Sequence, residues 1–133
     1  MKVFSFEKLA VWQEAKELTK VIYTLTSSFP ENEKFGLVSQ LRRAMISVTS
    51  NIAEGSSRTS HKDQARFYQI GYSSLMEVLS QVLIADELGF IENKKVEEIR
   101  EALSQISYKI NALRTAALKN HKPSQPNKPF KPQ

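Results

Sequence analysis

The chain has 133 residues and no cysteine, which excludes a disulfide framework, a thiolate metal cluster and a thiol nucleophile. That length makes one domain with room for a real core. The net charge of +5 is unevenly placed: residues 1–118 hold 15 basic and 14 acidic side chains, whereas residues 119–133 hold Lys119, Lys122, Lys128 and Lys131 and no acid. A near-neutral body with a basic arm is expected, and such an arm is one form of nucleic-acid footprint.

The first residues lack a basic segment followed by a long apolar run, so no signal peptide is expected. The longest apolar runs fall far short of the roughly 20 residues that span a bilayer. Together with the missing cysteines this fits a cytoplasmic protein with no membrane contact. Only four Gly and five Pro occur, with the prolines outside the periodic segments, a punctuation that suits an all-helical chain.

Phe4-Ser5-Phe6 is an apolar lead-in, and a first helix is predicted from about Glu7 to Ser27. Val11, Ala15, Leu18, Ile22 and Leu25 form one heptad face, with Trp12 beside it as a seal on the bundle edge. Phe29 to Glu33 is a break around Pro30. The second helix is predicted from Lys34 to Ser56, with Leu37, Leu41, Ala44, Met45, Val48 and Ile52 as its apolar arc. Gly55 reads as its C-terminal stop, and Ser60 as the N-cap of the next helix.

The third helix is predicted from Lys62 to Leu88. Apolar residues cover about two-thirds of its circumference, more than one packing partner can bury. A second subunit is the expected cover for the surplus, the alternative being long connections or the termini. Gly89-Phe90-Ile91 is a short turn. The fourth helix is predicted from Asn93 to Leu118, with Val96, Ile99, Leu103, Ile106, Ile110, Leu113 and Ala117 alternating at three and four. Short links between four long helices give an all-α, antiparallel up-down-up-down four-helix bundle over residues 1–118. Residues 119–133, rich in Lys and Pro, are expected to be a disordered tail.

No catalytic, cofactor or metal residue is nominated. The two histidines, His61 and His121, lie outside the helical patterns, so the Glu-x-x-His pairs of di-metal bundles are absent, as is a Gly-rich phosphate loop. On the second helix, Arg43, Asn51 and Glu54 flank the apolar arc. They read either as a solvated face or as a polar network in which Arg43 and Glu54 pair with each other or with Glu77 of the third helix, fixing register. Arg42, Arg43, Arg58, Lys62 and Arg66 are expected around the loop between helices two and three. With Lys119, Lys122, Lys128 and Lys131 of the tail, Arg42, Arg58, Lys62 and Arg66 are the nucleic-acid candidates. Asn51 to Thr59 superficially resembles a helix-turn-helix. However, Gly55 follows Ala53 too closely, and the next helix is too apolar to lie exposed in a major groove.

An ordered set of short motifs carries a family resemblance. It comprises Leu9-Ala10-Val11-Trp12 with Ala15, Phe29-Pro30, Glu33-Lys34-Phe35-Gly36-Leu37, Gln40-Leu41-Arg42-Arg43-Ala44, Ser47-Val48 and Asn51-Ile52-Ala53-Glu54-Gly55, then Phe67, Ser73 or Ser74, and Glu77. Across residues 6–118 the chain resembles the four-helix-bundle proteins found within intervening sequences of bacterial large-subunit ribosomal RNA genes, and their free-standing relatives. The resemblance implies the same bundle and no established enzymatic activity. It also implies a homo-oligomer, because related bundles, including accessory proteins of diversity-generating retroelements, form homopentameric rings; those accessory proteins engage nucleic acid and a reverse transcriptase. The expected function is therefore a non-catalytic oligomeric bundle associated with RNA. The alternative is a scaffold that binds a protein partner without touching nucleic acid.

Overall fold

A computed structural model describes residues 1–121. The expected tail beyond them, with Lys122, Lys128 and Lys131, lies outside the described residues. Four α-helices make up the bundle: α1 (Ala10–Thr26), α2 (Ser39–Ser57), α3 (His61–Glu87) and α4 (Asn93–Asn120). Each runs antiparallel to its neighbour in sequence, as its short link demands. Among the described residues no helix is long and apolar enough to cross a membrane.

The predicted stripes meet on the bundle axis. Leu18 and Ile22 of α1, Leu41, Met45 and Ile52 of α2, Leu75 and Val78 of α3, and Ile99, Ile106 and Ile110 of α4 are all buried in one core. Trp12 packs edge-on against Phe6, with centroids 4.9 Å apart, and closes one end. Phe29 and Phe90, 5.5 Å apart, close the other. The α3–α4 turn is a Schellman motif: Gly89, at φ +80°, donates to Asp86, and Phe90 donates back to Ala85. Ser60 caps α3 as expected, its Oγ accepting from the Asp63 amide at 3.0 Å.

Three helix limits differ from the sequence reading, each for a local reason. Leu9 leaves the helical region, so Ser5–Lys8 is a separate 3-10 turn, held by the Glu7 carboxylate on the Phe4 amide at 2.8 Å. Lys34–Val38 is not the first turn of α2 but a π-type turn kinked at Gly36, with the Glu33 carboxylate accepting from the Leu37 amide. At the far end α2 runs through Gly55 and stops at Ser57. Gly55 is buried and helical, and a Cβ there would meet the Tyr68 ring at 2.6 Å. Its missing side chain is therefore a seat for Tyr68, not a stop signal. Burial raises the Tyr68 phenol above its ordinary pKa.

Gly71 sits one turn further along the same seam, where an added Cβ would meet Asn51 at an ordinary 3.4 Å. The two glycines should respond oppositely to alanine. Gly55→Ala is expected to destabilise the fold by about 1–3 kcal/mol through overpacking against Tyr68. Gly71→Ala is expected to stabilise it by about 0.5–1 kcal/mol through helix propensity. Chemical denaturation of the two variants checks both signs.

Candidate nucleic-acid interface

The α2–α3 corner is built by three residues of turn, Arg58 to Ser60, between two capped helix ends. Arg58 ends α2 in an extended conformation, its amide still bonded to Gly55 O. Gln64 Nε2 donates back to Arg58 O at 3.2 Å, which ties the turn to the first turn of α3. Phe67, half-buried on α3, has two guanidiniums near its ring. The Arg58 guanidinium lies 4.5 Å from its ring centroid and that of Arg66 lies 5.0 Å away. The negative face of an aromatic ring attracts each cation, so two like charges are held close without an acid between them. Arg58 also donates to Glu54 Oε2 at 2.9 Å, in a half-exposed pair that leaves part of its fork free. Lys62 and Arg66 are exposed and join no ion pair among the described residues.

Not every expected cation belongs here. Arg42 lies sixteen residues before Arg58, which along one α-helix is about 24 Å, so it sits at the opposite end of the bundle. Its Nε donates to Thr26 Oγ1 at 2.9 Å and its Nη2 to Tyr23 O at 3.2 Å, with the guanidinium stacked 4.5 Å from the Tyr23 ring. It closes the C-terminal end of α1, where free carbonyls and the helix dipole favour a cation. The five-residue cluster read from sequence is thus reduced to Arg58, Lys62 and Arg66. Lys119 of α4 lies at the same level of the bundle. Arg114 donates to Gln69 Oε1, and the antiparallel register carries Lys119 down to the level of the first turn of α3.

Of the two readings of the polar arc on α2, the charged residues follow the solvated face. Among the described residues no ion pair joins Arg43 to Glu54 or Glu77, and all three side chains are exposed. The interface is held by small neutral groups instead. Ser47 and Ser74 share a hydrogen bond of 2.8 Å, and Asn51 Nδ2 donates to Ser47 O at 2.8 Å and to Ser47 Oγ at 3.1 Å. Only Asn51 of the four nominated residues takes part. Serine and asparagine can approach a neighbouring helix closely, whereas Arg and Glu in the seam would have to shed their water.

The antiparallel topology sorts the charges along the bundle. The contacts Ser47–Ser74 and Glu14–Lys109 mark its middle. The end with the α2–α3 corner comprises residues 1–16, 49–74 and 107–121 and carries nine basic against four acidic side chains, a net +5. The other end, residues 17–48 and 75–106, carries seven basic against ten acidic, a net −3. Lys2, Lys8, Lys109 and Arg114 belong to the basic end and were not visible as candidates. They are scattered in sequence, and only a charge count made after folding the chain into four antiparallel rods would have grouped them. The chain after residue 121 leaves from this basic end. Among the described residues no group of His, Asp or Glu is placed to hold a metal ion.

Residues 7–112 match the family described as 23S rRNA-intervening sequence protein. The chain is also similar to a crystal structure from Bacteroides thetaiotaomicron, a protein with unknown function from the S23 ribosomal protein family. Sequence identity is 19%, the TM-score is 0.73, and the match covers 79% of this chain and 95% of that one. At that identity the likeness is one of fold. A comparison with curated proteins returns no match.

The site geometry makes a stability prediction that separates cap from interface. Arg42→Ala should cost about 1–2 kcal/mol by freeing the α1 carbonyls and Thr26. Ser74→Ala should cost about 0.5–1.5 kcal/mol by leaving Ser47 unpartnered. Glu77→Ala should stay within about 0.5 kcal/mol, as for a surface site. Thermal unfolding of the three variants provides the comparison, and a Glu77 effect as large as that of Ser74 would restore the charged network.

Proposed function

Because this chain belongs to the 23S rRNA-intervening sequence protein family, we propose that it is a non-catalytic, self-assembling bundle that holds RNA by its phosphate backbone. The observation that carries this reading is the net +5 gathered at one end of the bundle, against −3 at the other. A phosphodiester chain meets Arg58, Lys62, Arg66 and Lys119 at that end, and the tail lysines Lys122, Lys128 and Lys131 follow from the same place in sequence. Guanidinium and ammonium groups neutralise phosphates and release their counterions without reading base identity. Nothing in this chemistry needs a cofactor.

Self-assembly enters through α3. Tyr72, Met76 and Leu79 pack against the core, but Ile70, Ile84 and Leu88 remain exposed on the same helix. We take a homo-oligomer as the form in which that surface is covered, and a five-fold ring as its arrangement. A ring of identical basic ends strengthens a weak phosphate grip by avidity. We take the cytoplasm as the compartment of such a protein. The second reading, a scaffold for a protein partner without nucleic-acid contact, is the one left standing if RNA binding is absent.

The test is a salt series on a single-stranded RNA. The logarithm of the binding constant should fall linearly with the logarithm of salt, by about 0.7 per phosphate engaged. Lys62→Ala and Arg66→Ala should each shrink that slope by about one such contact, while Lys94→Ala at the opposite end leaves it unchanged. No affinity even at low salt overturns the RNA reading. Loss of all binding on removal of residues 122–133 alone assigns the grip to the arm and takes it from the bundle end.

A further inference from the structure

Phosphate contacts are blind to base identity, yet the basic end also has a hollow that is not lined like a phosphate site. It encloses about 430 Å3 between the N-terminal turn and the last turns of α2. Phe4 and Phe6 line it from the turn, and Ser50, Glu54, Ser56 and Ser57 line it from α2. The turn is pinned at both ends. The Phe4 amide donates to the Glu7 carboxylate at 2.8 Å, the Glu7 amide donates back to Phe4 O at 3.1 Å, and Gln13 of α1 donates to Glu7 O at 2.8 Å. The Phe6 ring packs on Trp12, whereas Phe4 stays 62% exposed. A fixed backbone thus presents an open aromatic ring to the hollow.

The polar groups of the α2 wall are left to accept. Ser56 Oγ donates to Ala53 O at 2.9 Å and Ser57 Oγ to Glu54 O at 2.8 Å, so both hydroxyl hydrogens are in use and only lone pairs remain. Glu54 Oε2 accepts from Arg58 at 2.9 Å, and among the described residues its Oε1 has no hydrogen bond. The Arg58 pair offsets the carboxylate charge that a polyanion would meet, and it brings a guanidinium to the edge of the hollow. Glu7, the other carboxylate close by, is engaged by the Phe4 amide.

We infer that this hollow receives one unpaired base of a single-stranded RNA, stacked on Phe4, with the exocyclic amino group of the base donating to Glu54 Oε1 and the adjoining phosphate meeting Arg58. The inference rests on the RNA reading above and adds a base preference to it. An open aromatic ring is a stacking platform for any base. A wall of acceptors then selects among bases. Cytosine donates from N4 to a carboxylate, whereas uracil presents O4 at the same place and is repelled. A purely apolar occupant would cover Glu54 without giving it a donor, which costs the desolvation of a charged group. The net +5 of this end draws a polyanion to the site.

Cytosine and uracil are alike in shape, so oligocytidylate and oligouridylate of equal length give a direct comparison. The wild-type protein is expected to bind the cytosine oligomer about fivefold or more tightly. Glu54→Gln supplies an amide that donates to O4, so the preference should vanish or reverse whatever happens to overall affinity. Phe4→Ala should weaken both oligomers by about five- to 150-fold, and Phe4→Trp should restore them. Because stacking engages no phosphate, Phe4→Ala should leave the salt slope unchanged. It should also leave binding to an RNA duplex unchanged, since paired bases stay in their stack. Circular dichroism should show wild-type helical content in each variant. Equal affinity for the two oligomers, or a Phe4→Ala protein of wild-type affinity, overturns the base site, and a persisting salt slope then keeps the phosphate reading. An equal loss of duplex binding in Phe4→Ala overturns the stacking role. No RNA affinity at low salt overturns both readings together.

Discussion

The close seam between α2 and α3 is the contact on which the rest of the arrangement depends. Ser47 against Ser74, Asn51 against Gly71 and Gly55 against Tyr68 place small groups opposite one another over three successive turns. Each pair is a steric fit as well as a contact, so sliding one helix by a turn would put the Tyr68 ring against a side chain instead of a glycine. Register set here decides where Arg58 leaves α2 and where Lys62 and Arg66 begin α3. The positively charged corner is thus a consequence of packing among neutral residues.

Antiparallel topology then does what no local segment does. It gathers the start of α1, the end of α2, the start of α3 and the end of α4 at one pole, and the charges of those four stretches add. A body that is almost neutral as a sequence becomes a bundle with a basic end and an acidic end. The molecule therefore separates a basic pole from an acidic one. Exposed apolar side chains occur at both ends, Phe4, Ile70 and Tyr108 at the basic one and Phe35, Ile84 and Leu88 at the acidic one.

The residues that were misread share one feature: their roles depend on a partner from another helix. Gly55 looked like a helix stop because glycine ends helices often, yet the Tyr68 ring had already claimed the space where its side chain would be. Arg42 was grouped with the cations of the loop between helices two and three, yet it reaches back to the last carbonyls of α1. Arg43, Glu54 and Glu77 looked like a network because of their charges, yet the seam had room only for hydroxyls and an amide. Residues whose roles are local fared better. Ser60 caps α3, Gly89 turns the chain at positive φ, and the apolar stripes of α1, α2 and α4 became the core, while α3 keeps Ile70 and Leu88 in water.

Hydrophobic period, capping chemistry and link length are properties of neighbours in the chain, and they determined by themselves that this protein is an antiparallel four-helix bundle. They also determined that α3 carries more apolar surface than one bundle buries. Which cations stand together, which glycine makes space, and which aromatic ring is left in water were decided only by tertiary structure. Those properties arise from distances between residues far apart in sequence, set by the packing of side chains across the α2–α3 seam. No pattern within a single helix encodes them.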